Sequence, residues 1–362
     1  MSPAPALSAL PSIDRLLGKE SLADLPTPVR EYPLKLGGGR HRLSVKLDNL
    51  TGDVYGGNKV RKLEYILHRA REKNCERVAT FGTVASHHAL ATSLYARRLG
   101  FPCICFLSHQ MPTPAASSTL RMHLQIGTSL VRYGGPYQKR LHTLRKHLWG
   151  RNPWVVPIGG TSWLGAFGYA CAGIEFAAQV AEGHVPPPDR LYVAAGTMGT
   201  AAGLALGLAL AGMATEVHAV RVSDTSICNE RDLAQLMDKT ARMMHRLDRA
   251  IPRNLAKKAD IRLRHEFFAG GYARADDETR AAIRVASDEL SLELEETYTG
   301  KAMAAVLRDL AGHESSKQHF VFWNTFNSAP LALDESVPID PSALPSEFLR
   351  YVDRQAPGQE PH

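Results

Sequence analysis

Cysteine is scarce in this 362-residue chain: Cys75, Cys103, Cys105, Cys171 and Cys228 are all there is, with no C-x-x-C among them. That scatter excludes a disulfide framework, and a reducing cytoplasm is the expected location. Histidine and cysteine do not cluster at ligand spacing, so no metal is expected. No apolar run reads as long enough for a membrane span, and residues 1–11 lack the basic start and apolar core of a signal peptide; no membrane partner is expected. Internal repeats and low-complexity core segments are missing too. The net charge of +7 comes with no nucleic-acid motif or aromatic platform. Arg242, Arg246, Arg249 and Arg253 recur at steps of three and four and read as one solvated basic helix face. Residues 1–11 and 355–362 read as mobile tails.

What is present is an ordinary globular composition, 44% hydrophobic and 22% charged. Strand-like segments (77–82, 102–107, 128–133, 154–157, 191–195, 216–222) alternate with helix-like ones (86–99, 118–125, 137–148, 199–211). This is the βαβα signature of an α/β protein whose parallel-rich sheets are covered by helices on both faces. Soft boundaries fall at Gly159-Gly160-Thr161 and at Pro186-Pro187-Pro188.

Within that frame one stretch stands out: Gly56-Gly57-Asn58-Lys59-Val60-Arg61-Lys62-Leu63-Glu64. Leu43, Val45 and Leu47 alternate as in a strand, residues 49–57 are turn-rich, and Leu63, Ile66, Leu67 and Ala70 recur at helical spacing. Lys59 therefore sits at or just before a helix start, inside a glycine bend. The positive end of the helix and partial burial both favour its neutral amine. Only a neutral amine forms a Schiff base with a carbonyl. The spacing alone is met at least as well by a solvated lysine at a helix start.

The runs Leu25-Pro26-Thr27-Pro28, Val45 to Gly52 and Gly56 to Lys59 resemble the ACC deaminase/D-cysteine desulfhydrase family of pyridoxal-phosphate (PLP) enzymes. The resemblance extends from about residue 20 to about residue 325. It implies the two-domain fold of type II, tryptophan synthase β-like: a large domain of residues 1–61 and 171–362, an inserted small domain of residues 62–170, and PLP in the cleft between them. It also implies a homodimer. Lys59 would hold PLP through its amine beside Asn58, and Lys62 would help hold the phosphate.

Gly196-Thr197-Met198-Gly199-Thr200 follows a strand and opens a helix, where backbone N–H groups converge on an anion. By itself the loop is also compatible with a tight strand–helix turn or a degenerate dinucleotide loop. The resemblance makes it the phosphate loop, with Thr200 matching a family threonine and Met198 standing where glycine is usual. Ser86-His87-His88 opens a helix. Ser86 reads either as an N-cap or as a donor to the substrate carboxylate, and His87 replaces an asparagine that faces the cofactor's phenolic oxygen. Tyr298-Thr299-Gly300-Lys301 resembles the family's Tyr-x-Gly-Lys: Tyr298 reads either as a core tyrosine or, by the resemblance, as facing the substrate's β-carbon or leaving group, with Tyr272 nearby. Thr299 stands where ACC deaminases carry a glutamate that keeps the pyridine nitrogen protonated. A neutral threonine makes the weaker hydrogen bond, which favours β-elimination over ring opening. Ala273 replaces a usual glycine, and the segment around Phe326 replaces a His-Thr-Gly-Gly.

The expected activity is that of a PLP-dependent lyase, α,β-elimination and deamination of a small amino acid in the manner of D-cysteine desulfhydrase. The alternatives are β-replacement, racemisation, ACC deamination and amino-acid binding without turnover.

Overall fold

Apolar alternation in Leu43-Ser44-Val45 builds a strand because successive side chains face opposite sides of a sheet. The computed structural model places that strand within residues 12–36, 38–312, 318–329 and 340–352, which are the residues described; both expected tails lie outside them. The chain divides into two compact units, residues 1–66 with 161–329, and residues 67–160 with 330–362. The first unit opens with a short helix α1 (12–17), then β1 (Val29–Leu36) and β2 (Gly39–Lys46), a single-turn helix at Asp48–Leu50, and α2 (Val60–Glu72). Along α2 the chain passes into the second unit.

That second unit alternates β3 (Arg77–Thr83), α3 (His87–Arg98), β4 (Cys103–Ser108), α4 (Pro114–Gln125), β5 (Ser129–Arg132), α5 (Tyr137–Leu148) and β6 (Pro153–Val156). Its strands form a parallel sheet in the order β5-β4-β3-β6. Cys103 to Leu107 are buried as a continuous run, as a strand covered on both faces requires. Ala79, Ile104 and Phe106 form the core on the face where Leu144 and Leu148 of α5 pack. Tyr351 returns to this unit, its hydroxyl accepting from Gln110 N–H at 3.1 Å.

The first unit resumes with α6 (Trp163–Ala181), β7 (Arg190–Ala195), α7 (Gly199–Leu210), β8 (Glu216–Arg221), α8 (Glu230–Leu247), α9 (Leu255–Lys258), β9 (Ile261–Arg264), α10 (Asp277–Leu290), α11 (Thr299–Gly312) and β10 (Phe320–Trp323). The sheet order is β1-β2-β10-β7-β8-β9, with only β1 and β2 antiparallel. Leu43, Val45, Tyr192, Ala194 and Val220 face α10 and α11. Leu191, Val193, Val217 and Ala219, alternating with them, are equally buried. A helix apolar all round must be interior, and α7 is buried along nearly its whole length. It touches α6 closely because Gly203 and Gly207 lack side chains: a Cβ would lie 2.2 Å from Ala166 O or 2.3 Å from Ala170 O.

Three expectations change. Helix α6 does have the length and apolarity of a membrane span, but most of it is buried within its own unit, where its apolar face packs on α7. The four-arginine helix face does not form: α8 ends at Leu247, capped by Asp248, which leaves Arg249 and Arg253 beyond it. The units divide at 66/67 and 160/161 rather than at 61/62 and 170/171, since α6 lies whole beside α7, and residues 340–352 group with the second unit.

Candidate active site

Two glycines position Lys59. A Cβ at Gly56 would lie 2.0 Å from Asn49 O, and one at Gly57, where φ is +81°, 2.5 Å from Thr325 O. Bare backbone thus lets three chain segments meet, with Asn58 N–H donating to Thr325 O at 3.3 Å and Gly57 N–H to Asp48 O at 2.9 Å. Lys59 immediately precedes α2, and its carbonyl accepts from Lys62 N–H (3.2 Å) and Leu63 N–H (3.0 Å). Its amine lies 2.5 Å from Asn58 Oδ1 and 5.9 Å from the centre of the Tyr298 ring. Asn58 in turn donates to Thr200 Oγ1 at 2.9 Å. Lys59 is half-buried. Desolvation lowers its ammonium to about 8, with the Glu295 charge pulling the other way.

The strand–helix loop after β7 comes to the same place. Thr197 and Thr161 share a hydrogen bond of 2.6 Å between their hydroxyls. A Cβ on Gly199 would lie 2.9 Å from Thr161 Oγ1 and 3.2 Å from Lys62 Nζ, so the glycine opens the first turn of α7 toward a buried cation. Burial, then the neighbouring charge of Lys59, hold Lys62 well below the usual lysine range. One buried and one half-buried amine beside the N-terminus of a 12-residue helix suit a phosphorylated group, whose negative charge would offset both. Met198 adopts φ +63°, a left-handed conformation that glycine enters freely. The same holds at Ala273, with φ +57°. At both positions where the family usually has glycine, this chain retains glycine-like backbone with a side chain attached.

Tyr298 and Tyr272 meet through their hydroxyls at 2.7 Å. Burial, and then the second phenol, push Tyr298 well above the usual tyrosine range, so it remains a protonated donor. Two residues that sequence reasoning passed over hold this pair in place. Lys301 donates to Phe268 O (2.7 Å) and Gly271 O (2.9 Å), which ties α11 to the segment carrying Tyr272. Glu295 caps α11: its Oε1 accepts from Tyr298 N–H (2.9 Å), Thr299 N–H (2.7 Å) and the Thr299 hydroxyl (3.1 Å), and its Oε2 from Thr297 N–H (2.7 Å). An acidic residue three positions before Tyr-x-Gly-Lys was the available signal.

Behind the lysine a buried ionic cluster fixes the start of α2. Arg61 binds Asp48 Oδ1 at 2.8 Å and Glu175 Oε2 at 2.9 Å, and Lys46 binds Glu175 Oε1 at 2.6 Å. Tyr169 and Trp323 both donate to Asp48 Oδ2, at 2.8 and 2.7 Å. Burial works to raise Asp48, but Arg61 and Lys46 outweigh it and hold the carboxylate below its usual range. Asp48 lies in one of the runs that carry the resemblance, and Arg61 two residues beyond another. Phe326 is half-buried, and its carbonyl carbon would lie 3.1 Å from a Cβ at Gly57.

Ser86 and His87 belong to the second unit. Ser86 caps α3, its Oγ accepting from Ala89 N–H at 3.2 Å, and it nests against Gly82, where a Cβ would lie 2.6 Å from that oxygen. His87 is half-buried, whereas His88 turns inward to Thr80 Oγ1 at 2.9 Å.

Comparison with known proteins adds an independent line. Residues 20–325 match the family described as "Pyridoxal-phosphate dependent enzyme". The D-cysteine desulfhydrase of Klebsiella pneumoniae is 31% identical over 294 residues, covering 79% of this chain and 86% of the relative. The D-cysteine desulfhydrase of Salmonella paratyphi A is 32% identical over 296 residues, with the same coverage. Among solved structures, the crystal structure of an ACC deaminase homologue aligns with a TM-score of 0.73 at 26% identity, over 91% of this chain and 96% of that one. The two-unit α/β architecture is the type II fold of these enzymes.

Proposed function

Because the chain belongs to the family of pyridoxal-phosphate-dependent enzymes, we propose that it is a lyase that eliminates the β-substituent of a small amino acid, D-cysteine in particular, and releases ammonia. The observation that carries this reading is the Lys59 amine, lowered to about 8 within a cluster of Asn58, Thr200 and Tyr298. When bound, PLP supplies the electron sink for the pair left at the substrate's Cα. Lys59 would hold the cofactor and, once exchanged for the substrate amine, take the Cα proton, a task that needs a neutral amine near the working pH. Lys62, the backbone of residues 196–199 and Thr200 would hold the phosphate. Thr299 would face the ring nitrogen. Tyr298, kept protonated and bonded to Tyr272, would give its proton to the departing sulfur. The parts assigned to Ser86 (substrate carboxylate) and His87 (phenolic oxygen) rest on the resemblance alone, as does the homodimer. The five free cysteines support a reducing, cytoplasmic location.

The net reaction is balanced by water: D-cysteine and water give pyruvate, sulfide and ammonia. The test is the visible spectrum of the purified protein before and after D-cysteine, with sulfide and pyruvate assayed in the same cuvette. A cofactor band that changes as both products appear supports the reading. A band that never responds removes D-cysteine, and a response without keto acid points to replacement, racemisation or binding alone. Lys59→Ala is expected to lose the borohydride-reducible bond between cofactor and protein; its persistence elsewhere in the chain would overturn the assignment of Lys59.

A further inference from the structure

A threonine hydroxyl has one hydrogen to give and two lone pairs to share. At Thr299, which is buried, the structure accounts for two of these three. One lone pair accepts from Glu295 N–H at 3.0 Å. The hydrogen goes to Glu295 Oε1 at 3.1 Å. The direction of that bond follows from its partner: Oε1 receives two backbone N–H groups and so acts as an acceptor, and the hydrogen comes from the hydroxyl. What Thr299 has left is a lone pair. Any polar group that meets this hydroxyl must therefore bring the hydrogen itself.

We propose that Glu295 sets the protonation state of the cofactor's ring nitrogen through Thr299. With its hydrogen held by the carboxylate, the hydroxyl can only accept, and it selects the ring form that carries N–H. This rests on the placement of Thr299 at the ring nitrogen in the proposed function. Taken alone, a neutral threonine in place of glutamate implies a weakened electron sink. Here the negative charge has moved one hydrogen bond outward rather than disappearing. Its field is felt in the site, since Glu295 acts on both Lys59 and Lys301 against the lowering effect of burial. Glu295 is thus a positioning residue: it orients the donor and acceptor roles of Thr299 and touches no reacting atom.

The test uses protein reconstituted with PLP carrying ¹⁵N in the ring, and it reads the ring-nitrogen resonance by NMR with no substrate present. Wild type is expected at the protonated pyridinium position near pH 8. Glu295→Gln keeps one oxygen for the Tyr298 and Thr299 N–H groups, gives up the acceptor that Thr297 N–H uses and removes the charge, and its resonance is expected to move toward neutral pyridine. Thr299→Val should move it likewise, and Thr299→Ser should restore it. A neutral ring nitrogen in wild type overturns the proposal, as does a Glu295→Gln or Thr299→Val resonance identical to wild type. If loss of the cap unfolds Glu295→Gln, Thr299→Val decides. Failure of wild type to take up PLP would instead remove the proposed function, and this inference with it.

Discussion

At the scale of single residues, Lys59 is held between opposing influences, and their balance sets a pH dependence. Its native value of about 8 lies below the usual 10.5, with burial the larger cause. Below about pH 8 folded and unfolded chains both carry the proton, and burying the charge destabilises the fold in full. Between about 8 and 10.5 the unfolded chain binds more protons than the native one, so stability rises with pH and the penalty fades. The cofactor-free protein is therefore expected to be less stable than Lys59→Met at pH 7, with the gap narrowing steadily toward pH 10. Urea denaturation of both proteins across that range measures it; a gap independent of pH would mean that the amine titrates normally. Met198 and Ala273 make a related point about backbone. A left-handed residue with a side chain costs of order 1 kcal/mol or more, so the site tolerates strain at the two places where glycine would remove it.

At the scale of elements, the packing of α6 on α7 is glycine-dependent. Helices α6 and α7 approach until the Gly203 and Gly207 positions contact backbone atoms of α6. Those atoms belong to the helix ladder and cannot rotate away as a flexible side chain can. Gly207→Ala is expected to destabilise the protein by about 3 kcal/mol, the upper part of the usual range for overpacking, visible as a lower urea midpoint. Because α7 begins at the proposed phosphate loop, PLP affinity should fall with it. A neutral effect would show that the two helices separate readily. The ionic cluster of Lys46, Asp48, Arg61 and Glu175 plays the corresponding part on β2 and α2. Breaking such a buried set by deleting one partner typically costs roughly 3–5 kcal/mol.

For the whole molecule, charge is distributed far from evenly. Residues 67–160 hold thirteen Lys and Arg against two Asp and Glu, although the entire chain is only +7, and no acidic residue occurs between Glu76 and Glu175. Helix α5 is the most exposed part of this stretch and has no buried residue; Lys139, Arg140, Arg145 and Lys146 all face solvent. Clustered charges reinforce one another within a Debye length, about 8–10 Å at moderate salt, and dispersed ones do not. Replacing those four residues by glutamine should therefore lower the salt needed to elute the protein from a cation exchanger. The same replacement at Arg15, Lys35, Arg242 and Arg284, four exposed sites set far apart along the chain, should shift elution less. Equal shifts would mean that net charge alone governs retention.

Much of the site was legible in the chain because its signals are local. The glycine pair ahead of Lys59, the strand-to-helix turn at 196–200 and the N-cap at Ser86 depend on a few neighbouring residues, and periodicities of 2 and 3.6 located most strands and helices between residues 43 and 222. Later elements such as α10, α11 and β10, and the long apolar α6, escaped; α6 has no polar face, and a buried helix of that kind carries little periodic contrast. Only tertiary structure decided which distant groups meet. Tyr272 and Tyr298 are 26 positions apart, Lys46 and Glu175 are 129, and their pairing depends on how the sheet orders its strands. Nor could sequence assign the hydrogen of Thr299. A hydroxyl gives or accepts according to what surrounds it, and that direction was fixed only when the carboxylate of Glu295 folded back over the start of α11.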